Sequence, residues 1–235
     1  MNKKDKIVSG LIAAIHVLAL AAPFTYSANM LKLFGISYLF NCFGITMSFH
    51  RQLTHKSFET DKWLEHIFAF WGVLGVQGHP IEWVSNHRHH HNQCDDIADP
   101  HSPYDGFWWS HMGWLFDSES QKLLFDTTNA KDMKRDKFYM WLKHNYLKVT
   151  IAQPLVYFAL GGFPAVVWGF ALRTVFCWHI TWAVNSVSHI WGRQMFKTGD
   201  LSMNNPLIGA LAMGEGWHNN HHAFEDSCRH GLKWW

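Results

Sequence analysis

The stretch VTIAQPLVYFALGGFPAVVWGFALRTVFCWHITWAVNSVSHIW, residues 149–191, carries one charged side chain, Arg173. A helix needs about 20 apolar residues to cross a hydrocarbon core. A run of twice that length, broken by a single charge, reads as two spans at about 149–168 and 171–190 with Arg173 at the tip between them. The start of the chain repeats the pattern, because residues 7–31 and 33–50 are uncharged and only Lys32 separates them. This gives two further spans, at about 7–28 and 33–50. The expected fold is all-α and integral to a membrane, with four transmembrane helices in two hairpins. Residues 51–148 and 193–235 would then cap the bundle on one side, in a single domain covering 1–235.

Composition and charge support this reading. Charged residues are 16% of the chain, against about a quarter in ordinary soluble domains. The mean hydropathy of -0.13 conceals the apolar runs because 18 histidines pull the average down. Of the 20 Lys and Arg, only Lys32 and Arg173 lie at the expected tips; the rest, with all 18 acids, fall in 1–6, 51–148 and 193–235. By the positive-inside rule these segments share the cytosolic or stromal side, and an even number of spans puts both termini there. Residues 3–22 also fit a secretory signal, but a second apolar run follows at once, which argues for a retained span. The opening MNKKDK reaches that span too soon for a transit peptide, so the endoplasmic reticulum or a bacterial membrane is expected before an imported plastid location. Cys42, Cys94, Cys177 and Cys228 have no C-x-x-C spacing, so neither a disulfide framework nor an iron–sulfur site is expected. Nothing in a net charge of +2 suggests a nucleic-acid partner. Residues 63–78 are apolar but short and include Glu65, as in an interfacial or re-entrant helix, and the basic stretch 131–148 suits anionic lipid headgroups.

The histidines cluster. HRQLTH holds His50 and His55; NHRHHH holds His87, His89, His90 and His91; NSVSH holds Asn185 and His189; HNNHH holds His218, His221 and His222. Every cluster falls at the end of a span or in the polar segment that follows, so two hairpins would bring all four to one membrane surface. Positions i, i+3 and i+4 share a helix face, so His87, His90 and His91 can converge, as can His218, His221 and His222, while His89 points elsewhere. His50 and His55 are five apart, which splays them on a straight α-helix, and the span is expected to unwind there. Neutral imidazole is the commonest metal ligand. His50, His55, His87, His90, His91, His189, His218, His221 and His222 are too many for one ion and suited to two. His16 and His179, mid-span, read as helix-packing hydrogen bonds. His66, His79, His101, His111, His144 and His230 are single and read as surface residues or supports for other groups.

At these residues the sequence resembles the membrane fatty-acid desaturases, and within them the plant and cyanobacterial acyl-lipid and acyl-CoA Δ9-type enzymes. That family's pattern is H-R-x-x-x-H, H-R-x-H-H, N-S-x-x-H-x-x-G and H-N-x-H-H, matched here by HRQLTH, HRHHH, NSVSHIWG and HNNHH. The flanks EWVSNHR, DPHSP, GFWWSH, MGEGWHNNHHAF and RHGLKWW are similar too. The resemblance implies a cap carrying histidine boxes around two non-haem iron ions. The nine histidines would be ligands, Asn185 would reach one metal through a water, and His89 would occupy the variable position. It also implies O₂ as oxidant, a fatty-acyl substrate on CoA or a glycerolipid, a cis double bond at Δ9, and electrons from cytochrome b5 or ferredoxin. Glu215, Asp95, Asp96 and Asp99 remain as acceptors for imidazole N–H groups. The rival readings are a related lipid or carotenoid hydroxylase or ketolase, a bis-histidine haem protein using His16 and His179, and a metal transporter, which would place its ligands at the bilayer midplane.

Overall fold

The computed structural model describes residues 3–96, 99–117, 120 and 126–233; Trp234 and Trp235, the end of the RHGLKWW motif, lie outside them. Among the described residues every regular element is helical, with two isolated β-bridges, Arg193 to Asn204 and Asn204 to Trp217. Helix α1 (Lys3–Ala19) is followed by a 3₁₀ turn at Ala22–Thr25. Ser27 then accepts the Met30 N–H to cap α2 (Ala28–Cys42), which runs on without a break into a π-helical stretch, Phe43–Thr54. Helices α3 (Lys62–Leu74) and α4 (Pro80–Asn92) come next, then the short α5 (Phe107–His111) and α6 (Lys137–Ala165). A second π-helical stretch, Val166–Leu172, leads into α7 (Arg173–Ile190), and two short helices, α8 (Pro206–Leu211) and α9 (His218–Ala223), complete the chain.

Two helical runs, Ala28–Thr54 and Lys137–Ile190, are long and apolar enough to cross a membrane, and Lys6–Ala19 is a shorter apolar helix. Their outer faces are apolar as well. Leu147, Ile151, Leu155 and Leu160 of α6 and Ile7, Leu11 and Val17 of α1 are exposed, rows that a water-soluble chain would bury. These helices fit a membrane protein.

The turns fall where the charge pattern did not place them. Gly161 and Gly162 leave helical geometry, Gly162 at φ 65° and ψ −158°, a conformation open to glycine and costly for other residues. The chain reverses there: Tyr157 packs against Gly169, and Gln153 reaches Arg173. The expected tip near residues 168–171 is therefore corrected to Gly161–Gly162, and the break between α1 and α2 lies at residues 20–27, upstream of Lys32. Arg173 is not a tip residue but a buried one. Its guanidinium donates to Asn41 Oδ1 on α2, to the Leu74 carbonyl at the end of α3, to Gln153 Oε1 on α6 at 2.8 Å and to the Gly169 carbonyl at 2.9 Å. One cation joins four segments, and neutral oxygens satisfy it.

The π stretch Phe43–Thr54 lies against α3 at a glycine contact, where a Cβ added to Gly44 would sit 2.0 Å from the Gly72 nitrogen. Beside that contact Phe49, Val73, Ile81, Val84 and Leu142, from the π stretch, α3, α4 and α6, pack in one fully buried cluster. This cluster fixes α4 beside the end of α2. Replacing Arg173 by leucine removes the charge-assisted bonds and strands the Asn41 and Gln153 oxygens, which costs about 3 kcal/mol or more. Thermal unfolding of Arg173→Leu in detergent is expected to fall by roughly 6–12 °C.

Candidate metal centre

The π geometry explains the five-residue spacing of HRQLTH. The His55 N–H donates to the His50 carbonyl at 3.2 Å, an i to i+5 bond, and residues five apart then share a face. The expected unwinding between them does not occur. The His50 and His55 rings lie 4.9 Å apart at the end of the π stretch and face α4, where His87 is 4.5 Å from His50 and His91 is 4.4 Å from His55.

All nine clustered histidines come together, in two groups. His50, His55, His87, His91 and His221 offer ring nitrogens within 4.8 Å of one another, and so do His90, His189, His218 and His222. The triplets read as converging on single points instead straddle the two groups. His87 and His91 face the first while His90 faces the second; His218 and His222 face the second while His221 faces the first. The i, i+4 pairs stay together because they are about 40° apart around a helix, and the third member falls on the other side of that line. His89 belongs to neither of these groups and bears instead on Asp126.

The outer ring nitrogens decide what the inner ones present. Nδ1 of His50 is 2.8 Å from Glu215, that of His90 is 2.9 Å from Asp99, that of His91 is 3.2 Å from Glu225, that of His189 is 3.1 Å from Asp95, and that of His222 is 2.9 Å from Asp200. At His90, His189 and His222 the contact is a hydrogen bond, and a carboxylate there holds the single hydrogen of a neutral imidazole on Nδ1 and leaves a bare lone pair on Nε2. Those Nε2 atoms point inward. His50 and His221 approach to 3.0 Å, His221 and His91 to 3.1 Å, His91 and His87 to 3.1 Å, and His218 and His189 to 2.9 Å. Nε2 of His55 and of His222 are buried with no hydrogen-bond partner. With metal–nitrogen bonds of about 2.1 Å two ligands at right angles sit roughly 3.0 Å apart, which is the spacing of these nitrogens. Burial, and after it the neighbouring imidazoles, hold His87, His218 and His221 well below the usual histidine range; all three are therefore neutral and able to bind metal. The residues fit two metal ions.

The carboxylates are ionised. Burial pushes Asp99 up, but the His101 and His90 imidazoles beside it more than reverse this and hold it below the usual range. Burial likewise raises Asp200, and the His222 hydrogen bond brings it down. Of the four acids picked out in the sequence, Glu215, Asp95 and Asp99 turn inward to cluster histidines, whereas Asp96 is exposed. Asn185 is half-buried one turn before His189 on α7.

Sequence reading missed Asp200 and Glu225, while His101 and His230, read as surface residues or supports, are supports beside Asp99 and Glu215. Glu225 follows His222 by one helical step of three. Asp200 comes from the loop after α7, where its other oxygen accepts Thr198 Oγ1 and the Ser202 N–H, a local turn signature that carries no hint of a histidine 22 residues on. His230 stacks on His221 at 4.4 Å and shares Glu215 with His50 and Arg51. The asparagines of HNNHH anchor α9: Asn219 accepts the Met195 and Phe196 N–H groups, and Asn220 donates to the His230 carbonyl.

Comparison with known proteins gives the family. The family model described as "Fatty acid desaturase" matches residues 27–235. The chain is similar to the palmitoyl-monogalactosyldiacylglycerol delta-7 desaturase, chloroplastic, of Arabidopsis thaliana, at 49% identity over 100% of this chain and 67% of that protein. It is similar to the acyl-CoA 5-desaturase AL21 of Anemone leveillei at 47% identity (100% and 74%), and to the delta-9 acyl-lipid desaturase 1 of Arabidopsis thaliana at 42% (94% and 73%). It thus spans about two thirds to three quarters of the length of these relatives. With four histidine motifs folded into two buried groups and a family match across nearly all of its length, the chain belongs to the fatty acid desaturase family.

Proposed function

We propose that this protein is an O₂-dependent fatty-acyl desaturase that forms a cis double bond in a saturated acyl chain at a dinuclear non-haem iron centre. The observation that carries this reading is the division of nine imidazoles into groups of five and four, with ring nitrogens within 4.8 Å of one another in each. A mid-chain methylene has no polar handle, so neither an acid–base pair nor a nucleophile can act on it. Two irons supply the redox chemistry with O₂ that such a bond demands. His50, His55, His87, His91 and His221 hold one iron; His90, His189, His218 and His222 hold the other, with Asn185 reaching it through a water. Glu215, Asp95, Asp99, Asp200 and Glu225 orient the rings and keep their hydrogens on the outer nitrogen.

The rest of the reading follows from the family and the charge pattern. Four spans in two hairpins carry the centre on the cytosolic or stromal side, with both termini there, in the endoplasmic reticulum or in a bacterial or plastid membrane. The acyl group arrives on CoA or a glycerolipid and electrons come from cytochrome b5 or ferredoxin. The proposed position is Δ9; relatives named for positions 5, 7 and 9 make that position the first quantity to measure.

Expression in a desaturase-deficient yeast, read by gas chromatography of fatty-acid methyl esters, should give a new monounsaturated acid that disappears in His218→Ala. A hydroxylated product would move the reading to a related oxidation, and a well-expressed protein that binds no iron would overturn it. Purified His221→Ala and His218→Ala should each fall from about two irons per chain to about one. Asp200→Ala keeps every ligand and should weaken iron retention against a chelator by about 10–100-fold.

A further inference from the structure

Of the histidines outside the nine, His16, His111 and His179 hydrogen-bond in a line that ends on the Ile12 carbonyl and Ser186 Oγ and ties α1, α5 and α7 together. The His230 ring makes no such bond. It is 2% exposed, and neither ring nitrogen has a hydrogen-bond partner, although Nδ1 lies 3.0 Å from Glu215. The ring packs instead against two rings of the metal centre, stacked on His221 at 4.4 Å and edge-on to His50 at 5.4 Å.

His230 also lines an open cleft of about 530 Å³, together with Arg51, Met213, Trp217, Arg229 and Lys233. These residues come from the end of the π stretch, the turn after α8 and the segment after α9. Arg51 is paired with Glu215. Arg229 is exposed and donates to the Gly231 and Lys233 carbonyls at 2.7 and 2.9 Å, so neutral oxygens hold it and no carboxylate pairs with it. Lys233 is exposed as well, and among the described residues no acid lines the cleft. Its mouth is positive, and a cleft lined by one sign of charge draws partners of the other.

We propose that this cleft is where an acidic one-electron carrier protein docks to feed the metal centre. The inference rests on the function proposed above, which consumes two electrons per double bond: each reduced carrier gives up one electron, leaves oxidised, and is followed by a second. Two observations favour this occupant. The positive rim complements an acidic surface, and His230 reaches from the cleft to the rings of His221 and His50, so an electron crosses one buried side chain to arrive at the ligands. An acyl chain would need an apolar passage, whereas the wall here is His230, Glu215 and Arg51.

The test uses the iron-loaded full chain in nanodiscs of zwitterionic phosphatidylcholine, with the soluble haem domain of a cytochrome b5 and a plant-type ferredoxin as probes. One of the two is expected to bind, with an affinity that falls about tenfold or more between about 0.05 and 0.5 M salt as the exposed charges are screened. Reversing both rim cations, Arg229→Glu with Lys233→Glu, should weaken that binding at least about tenfold, and the oxidation of sub-saturating reduced carrier on mixing should slow in step. Reversing two exposed cations of the basic stretch, Lys131→Glu with Arg135→Glu, should leave the affinity within about twofold. If the reversed rim costs iron, Arg229→Gln alone carries the test with a loss of about threefold. Docking here is overturned if neither carrier binds the wild type, if the rim variants bind as the wild type does, or if the loss appears in the Lys131 and Arg135 pair instead. Unchanged carrier affinity with a raised KM for acyl-CoA would assign the cleft to the phosphates of the acyl carrier and overturn docking too. A wild type that binds the carrier through Arg229 and Lys233 yet yields no desaturated acid keeps the docking site and overturns the function; one that desaturates while its carrier ignores both residues does the reverse.

Discussion

Everything near the active end of this molecule depends on one constraint: a neutral imidazole carries one hydrogen, and whatever accepts it decides where the free lone pair points. Asp95, Asp99 and Asp200 take hydrogens from His189, His90 and His222, and Glu215 and Glu225 lie 2.8 and 3.2 Å from His50 and His91. They come from segments far apart in the chain, so the loops of the cap are as necessary to the centre as the helices that bear the rings. An ionised carboxylate in such a buried place is costly alone; here the imidazole hydrogens, and for Glu215 also Arg51, offset that cost.

The fold supplies this arrangement by departing from regular α-helix where the histidines require it. A π-helical stretch turns the five-residue spacing of His50 and His55 into one face, and the Gly44–Gly72 contact lets α3 close over that stretch. Helix α4 then lies near enough for its histidines to divide between the two groups. Farther from the centre, Arg173 draws α2, α3 and α6 onto the start of α7, which sets the direction in which His189 arrives. A buried guanidinium with only neutral acceptors is a poor source of stability compared with apolar packing, but its donors fix the geometry of three helices at once.

Much of this was legible in the sequence, and the failures share a cause. The apolar runs and the histidine motifs were visible because they are local and periodic, and family matching agrees with the motifs. Charge misplaces the turns because it marks the surface only where water solvates it, and Arg173 is a buried charge whose partners on α2, α3 and α6 are distant in sequence. Gly161–Gly162, the real reversal, was present as a plain glycine pair inside an apolar run. The convergence of His87, His90 and His91 failed for a related reason: helical spacing says which side chains share a face, but whether that face meets one centre or the boundary between two depends on what packs opposite. Asp200 and Glu225 carried no spacing signal, since Asp200 acts across a loop and Glu225 is indistinguishable from any acid that follows a helix.

The three histidine groups together make a stronger argument than any one of them. All three contain buried or half-buried imidazoles with ring nitrogens about 3 Å apart, so proximity alone does not distinguish a metal site from a hydrogen-bonded chain. The far nitrogen does. Where it meets a carboxylate, the near lone pair is left bare and available to a cation. Where it meets a backbone carbonyl, a serine or another imidazole, the hydrogens run along a line and the rings tie helices together instead. His16 and His179 read in the sequence as helix-packing hydrogen bonds, which is what they make, whereas His111 reads as a single histidine because its partners, His179 and Ser186, exist only once α5 and α7 are packed together.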